Sequence, residues 1–229
     1  MKNKNIEHVF FDLDHTLWDF DVNSELAFAT IFKKEHPTIV IADFIEKYAP
    51  INQACWKLYQ YDKITHAELR YNRLKQTFDA LAYLVTDVQI ERIAQDYIEL
   101  LPENNRLFDG TIEVLDYLEK KYKLHIITNG FADVQYKKIN NSNIASFFQT
   151  ITNSEMAGVK KPNPIIFEYA LNLAQAKKEN SIMIGDCLEA DVQGALNAGL
   201  QAIFFNDKKI KVNKNIKQVT HLLELKKYL

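Results

Sequence analysis

Val9-Phe10-Phe11-Asp12-Leu13-Asp14-His15-Thr16 begins with three consecutive apolar residues and turns acidic at once. The run Val9 to Leu13 reads as a short buried strand, and its two aspartates fall where that strand ends. Working outward, similar apolar runs recur far downstream: Leu124 to Thr128 (LHIIT), Ile182 to Gly185 (IMIG) and Ala202 to Phe205 (AIFF), with Thr150 to Asn153 as a further candidate. Helical patterns separate them, over Thr111–Lys121, Asp133–Asn140, Pro164–Ala174 and Ala190–Ala198. Strands alternating with helices imply an α/β fold with a parallel sheet covered on both faces.

Between Asn23 and Leu101 no strand pattern occurs. Phe28, Ile31 and Phe32 repeat at helical spacing, as do Leu69, Leu74 and Phe78, and Asp87 is placed to cap a helix through Ile90, Ile93 and Tyr97. This block reads as an all-helical insertion. The division expected is a core of residues 1–20 and 106–229 and a helical domain of residues 21–105.

Composition narrows the classes. With 28 basic and 30 acidic side chains the net charge is -2, which gives no electrostatic reason to expect a nucleic-acid or membrane partner. The lysines at 208, 209, 211 and 214 read as a solvated loop. No apolar run is long enough to span a bilayer. Met1 to Glu7 is polar and does not resemble a signal peptide. Two cysteines, Cys55 and Cys187, are too few for a disulfide framework, and a reducing cytoplasm is the expected location.

Four pieces carry chemistry. Asp12 and Asp14 can turn both carboxylates into one crevice, one as nucleophile and the other as general acid and base, with a cation relieving their repulsion. Thr128-Asn129-Gly130 offers a hydroxyl, an amide and a turn after a strand, suited to phosphate oxygens. Lys160-Lys161-Pro162 sets a lysine just before a helix, where it can neutralise a phosphoryl group. Gly185-Asp186-Cys187-Leu188-Glu189-Ala190-Asp191 supplies hard oxygen ligands of the kind that suit Mg2+. Each piece has a plain reading too: loop capping, turn chemistry, a surface lysine, and Asp191 as a helix N-cap.

In this order the pieces resemble the four motifs of the haloacid dehalogenase (HAD) superfamily: D-x-D-x-T, a Thr or Ser after the second core strand, a Lys, and G-D-x-x-x-x-D. The resemblance covers Val9 to Thr16 and about Asp109 to Phe205. It implies a Rossmann-like core and a Mg2+-dependent phosphomonoester hydrolase working through an aspartyl-phosphate. It further implies Asp12 as nucleophile, Asp14 as acid and base, and Thr128, Asn129 and Lys161 on the phosphate. The metal would be held by Asp12, the Asp14 backbone carbonyl and Asp186, with Asp191 behind them on metal-bound water or Lys161. His15 reads as structural, and Cys187 has no assigned role.

The insertion resembles the helical cap of subfamily I, with hinges near Trp18 to Asp21 and Pro102 to Asp109. Within it, Trp56, Tyr59, Ile64, Thr65, Leu69 and Arg73 follow a spacing similar to that of house-cleaning pyrimidine 5′-nucleotidases, as does Thr128-Asn129-Gly130-Phe131 in the core. Trp56 and Tyr61 are therefore the cap's substrate candidates, although packing between helices accounts for any single aromatic equally well. Phosphatases of phosphoglycolate or sugar phosphates share the architecture. A dehalogenase would need neither Asp14 nor a metal. A phosphomutase would need a second phosphate holder, for which Arg70 and Arg73 are available, and a binding module would be expected to lack one of the catalytic residues.

Overall fold

A computed structural model describes residues 6–229, apart from the side chain of Glu35. Most of the polar N-terminal stretch, Met1 to Asn5, lies outside the described residues. The chain divides into two compact units, Met1–Asp19 with Arg106–Leu229, and Phe20–Asn105.

In chain order the elements are β1 (His8–Phe11), α1 (Phe20–Glu35), α2 (Ile41–Gln60), α3 (His66–Ala80), α4 (Asp87–Leu100), α5 (Thr111–Glu119), β2 (Lys123–Thr128), α6 (Ala132–Asn141), β3 (Phe148–Asn153), α7 (Ser154–Ala157), α8 (Pro164–Leu173), β4 (Ser181–Gly185), α9 (Gly194–Asn197), β5 (Gln201–Phe205) and β6 (Gln218–Val219). The first unit is built on one sheet in the order β3-β2-β1-β4-β5-β6. Every neighbouring pair is parallel. The strand order reverses between β1 and β4, which is where open α/β sheets bind ligands.

Parallel strands buried on both faces need apolar residues at successive positions. Phe10, Met183 and Phe204 pack with Phe167, Ile166 and Ala170 of α8 on one face. Their alternates Val9, Phe11, Ile182 and Ile184 are buried as well, so both faces are covered. Two buried histidines interrupt the apolar strands. His8 Nδ1 lies 3.0 Å from His125 Nε2, and His125 Nδ1 lies 2.9 Å from Thr150 Oγ1.

The helical pattern over Ala190–Ala198 resolves into a π-helical turn, Leu188–Gln193, followed by α9. Cys187 caps that turn through its Sγ, so Asp191 sits inside the turn and is not its N-cap. Its carboxylate instead accepts from the backbone N–H of Cys187 at 2.9 Å.

The second unit consists of α1 to α4. Aromatic rings fill its interior: Phe28 stacks on Tyr97 at 4.3 Å, and Phe32 meets Phe44 at 4.7 Å. The α4 cap is Thr86, where Asp87 was expected. Thr86 Oγ1 accepts from Gln89 N while Gln89 Oε1 accepts from Thr86 N, a reciprocal box that a first-turn aspartate cannot form. Arg73 is buried here. It stacks on Tyr97 and donates to Asn52 Oδ1 at 3.3 Å, and no described carboxylate pairs with it.

Candidate active site

The register of β1 fixes the site. Phe11 lies opposite Ile126 on one side and Ile184 on the other. The Asp12 N–H continues the ladder by donating to Ile184 O at 2.9 Å. Asp12 therefore emerges beside the ends of β2 and β4, next to Thr128 and Asp186. The chain then turns: His15 takes a left-handed φ of 61° and its N–H donates to Trp18 O at 2.9 Å. That turn buries Thr16, whose Oγ1 donates to Asp186 Oδ1 at 3.2 Å. The motif threonine thus orients an aspartate 170 residues away.

Lys161 is 2% exposed and all three of its ammonium hydrogens have acceptors: Asp12 Oδ1 at 2.6 Å, Asp191 Oδ1 at 2.6 Å and Ile127 O at 2.8 Å. It was expected to bind phosphate directly, but in this arrangement it offers charge and no spare hydrogen. Asn129 also departs from expectation. Its Nδ2 donates to Lys161 O at 3.0 Å and its Oδ1 accepts from Lys161 N at 2.7 Å. Both amide atoms fix the lysine's backbone, so the side chain is not directed at a phosphate.

Thr128 is placed differently. Its Oγ1 accepts from Gly130 N at 3.1 Å and from Gln135 Nε2 at 2.6 Å. A hydroxyl has two lone pairs and one proton. With both lone pairs engaged, the proton is left to donate, which suits a phosphoryl oxygen.

Asp12, Asp186 and Asp191 each bring a carboxylate oxygen within 4.8 Å of the others. Three carboxylates face one ammonium. Burial pushes the Asp12 carboxyl up to about 7, with Lys161 pulling the other way and Asp191 and Asp14 adding to the rise. Burial, then Asp191 and Asp12, raise Asp186 well above the carboxylate range. Burial works against the Lys161 ammonium, yet Asp12 and Asp191 hold it above the ordinary lysine range. This excess of hard, buried oxygen donors fits a small divalent cation. Both Asp191 oxygens are engaged, by Lys161 and by the Cys187 N–H. The open acceptor capacity lies on Asp12 and Asp186.

Asp14 lies at the rim, with its side chain 23% exposed. Lys138 Nζ donates to its Oδ1 at 2.6 Å and Gln135 Nε2 to its Oδ2 at 2.9 Å. Sequence reasoning named neither residue. Gln135 and Lys138 look like polar positions on a helix face, yet they are 1% and 2% exposed. Glycine permits the approach at two points: a Cβ on Gly130 would overlap the Gln135 amide, and one on Gly185 would overlap the Asp191 carboxylate. Trp56 and Tyr61 belong to the other unit. Trp56 meets Tyr59 edge-on at 5.7 Å, and Tyr61 is 46% exposed beneath Lys57 Nζ at 5.1 Å.

Residues 6–199 match a hydrolase family described as haloacid dehalogenase-like hydrolase. The chain belongs to that family. It is 32% identical over 200 residues to the pyrimidine 5′-nucleotidase PynA of Streptococcus pneumoniae, covering 86% of this chain and 83% of PynA. It is 30% identical over 207 residues to a glyceraldehyde 3-phosphate phosphatase of Methanothermobacter thermautotrophicus, covering 88% of this chain and 86% of that one. A crystal structure of the HAD-hydrolase YfnB from Bacillus subtilis, bound to magnesium, superposes with a TM-score of 0.87 at 28% identity, covering 96% of this chain and 97% of that one. The chain is thus an enzyme of this hydrolase family, with the parallel-sheet core that the family shares.

Proposed function

We propose that this phosphatase hydrolyses nucleoside 5′-monophosphates, pyrimidine nucleotides above all, through a phosphoryl group carried on Asp12. One observation carries the chemistry: Asp12 meets Lys161, Asp186 and Asp191 at the β1/β4 switch point, beside a Thr128 hydroxyl whose proton is left to donate.

Asp12 Oδ1 is held by Lys161, so Oδ2 is the attacking atom. Oδ2 bonds to phosphorus as the ester P–O bond breaks in line, and the departing oxygen takes a proton from the Asp14 carboxyl. Water then attacks the same phosphorus and gives its proton to Asp14. The bond from phosphorus to Asp12 breaks, and phosphate leaves with both aspartates restored. Thr128 donates to a phosphoryl oxygen, and Lys161 contributes positive charge close to the attacked group. Asp12, Asp186 and the Asp14 backbone carbonyl would hold Mg2+, which when bound supplies positive charge against the phosphoryl oxygens. Asp191 and Asn129 keep Lys161 in place.

The nucleotide preference draws support from the pyrimidine 5′-nucleotidase relative and from the Trp56 and Tyr61 rings on the helical unit, which we read as a cap. A base stacked on such rings gains roughly 1–3 kcal/mol, which a small sugar phosphate lacks. We read the substrate as a small cytoplasmic metabolite. The test is kcat/KM for uridine, cytidine and thymidine 5′-monophosphates, phosphoglycolate, glyceraldehyde 3-phosphate and p-nitrophenyl phosphate, each with Mg2+ and with excess chelator. Nucleotides should lead, Asp12→Asn should remove turnover of every substrate, and chelator should silence the wild type. A best rate on glyceraldehyde 3-phosphate or phosphoglycolate would overturn the nucleotide assignment. Turnover by Asp12→Asn near the wild-type rate would overturn the mechanism.

A further inference from the structure

We infer that Gln135 and Lys138, adjacent on one face of α6, are positioning residues that lock the Asp14 carboxyl and the Thr128 hydroxyl into one rigid frame. The inference rests on the reading of Asp14 as the acid that protonates the leaving oxygen.

The geometry is specific. Residues three apart on a helix share a face, and here that face points inward, with both side chains almost fully buried. Lys138 Nζ lies 2.6 Å from Asp14 Oδ1 and 4.3 Å above the Trp18 ring. An ammonium facing both a carboxylate and an aromatic ring is restrained in two directions. Gln135 Nε2 bridges Asp14 Oδ2 and Thr128 Oγ1, at 2.9 and 2.6 Å. Each Asp14 oxygen thus has its own buried donor, which fixes the plane of the carboxyl group as a single contact could not.

The orientation of the Gln135 amide is dictated by its neighbours. Turned the other way while Asp14 is ionised and paired with Lys138, its oxygen would face a carboxylate oxygen, two acceptors in contact. In the orientation observed, Gln135 Oε1 is buried without a hydrogen-bond partner. A buried, unpaired acceptor is unfavourable, so the arrangement persists because Nε2 serves two oxygens at once. Gly130 confirms the tight fit, since any larger residue there would displace the same amide. One side chain thereby couples the phosphate-facing hydroxyl to the acid group, and α6 sets the distance between the two jobs.

The experiment compares two phosphomonoesters. An alkyl ester such as a nucleoside 5′-monophosphate expels a poor leaving group and depends on a well-placed acid. An aryl ester of an acidic phenol, such as p-nitrophenyl phosphate, depends on it little. The quantity read is kcat/KM, which covers steps through expulsion of the leaving group. Lys138→Met is nearly isosteric. It should lower kcat/KM by roughly 10- to 100-fold on the alkyl ester and by less than about 3-fold on the aryl ester, within the range that a general acid contributes. Lys138→Arg should recover part of the alkyl loss. Gln135→Met removes both bridging bonds and should lower both esters, the alkyl one further. A thermal melt of each variant separates misfolding from misplacement. Equal losses on the two esters in a folded Lys138→Met protein, or no loss at all, would overturn the inference. If Asp14→Asn itself treats the two esters alike, the acid assignment fails instead, and the two failures are told apart.

Discussion

Relative to a variant that lacks it, the His8–His125 pair should cost the sheet unit stability as pH falls from 7 to 5, while the raised Asp12 and Asp186 carboxyls favour folding over the same range. His125 is fully buried between His8 and Phe10, with stacked rings at 5.2 and 4.7 Å. Burial, with smaller contributions from His8 and Lys123, lowers its pKa from 6.5 to about 4. His8 is lowered too, by burial first and then by Lys123. The sign follows from proton uptake. Between about 4 and 6.5 the unfolded chain protonates this imidazole and the folded one does not, so stability is fully present above 6.5 and is lost as pH falls towards 4. At pH 5 the loss from His125 alone comes to about 2 kcal/mol. Only one of the pair can gain a proton while their shared hydrogen bond survives, because two protonated rings would set N–H against N–H. The measurement is the urea midpoint at pH 7 and pH 5 for the wild type and for a His8→Val, His125→Val double variant. The wild type should lose roughly 1 M of midpoint more than the variant does. Parallel pH slopes in the two proteins would show that neither ring stays neutral through folding, and would refute the reasoning.

Asp186→Ala should raise the Mg2+ concentration for half-maximal phosphate release at least tenfold while leaving the melting temperature close to wild type; an unchanged metal titration would exclude Asp186 as a ligand. Gly185→Ala sets a methyl group against the Asp191 carboxylate that holds Lys161. It should cost about 1–3 kcal/mol of stability along with most of the activity, and wild-type values of both would show that the loop absorbs the methyl freely. Arg73→Met in the helical unit should be neutral or stabilising in a thermal melt, because it removes a buried cation that no described carboxylate offsets. A fall of several degrees would mean that its contacts to Asn52 and Tyr97 outweigh the desolvation cost.

The sequence displayed the parts of the site that share a strand or a turn and hid those that depend on distant partners. Asp12, Thr128 and Asp186 could be found because each follows an apolar run, and parallel register carries the ends of neighbouring strands to one edge. The Thr86–Gln89 box is equally legible, since T-x-x-Q is a local pattern, and Asp87 beside it occupies the first turn, where an acidic residue also suits a helix start. Asn129 illustrates the opposite case. Its amide type suits a phosphate, and nothing within its own turn indicates that both atoms will close on the backbone of residue 161. The π-helical turn at Leu188–Gln193 was hidden for a related reason: apolar spacing over Ala190–Ala198 satisfies a helix, while the departure comes from Asp191 reaching back to Cys187 N and across to Lys161.

Lys138 shows why local patterning fails where the chemistry is most demanding. A lysine three residues after a glutamine on a short helix has the pattern of a solvated face, and burying its charge is unfavourable unless a counter-charge waits there. That counter-charge is Asp14, 124 residues earlier in the chain. Lys161 finds Asp12 across 149 residues in the same way. Each lysine is offset in part by an aspartate that the end of β1 delivers, and each aspartate is oriented in part by a lysine returned from a distant helix or loop. Removing Asp12 would leave Lys161 with Asp191 alone as counter-charge, and removing Lys138 would leave Asp14 with Gln135 as donor. Both ion pairs depend on the β1–β2 and β1–β4 register, because that register is what brings Asp12 and Asp14 to the edge where the two lysines lie.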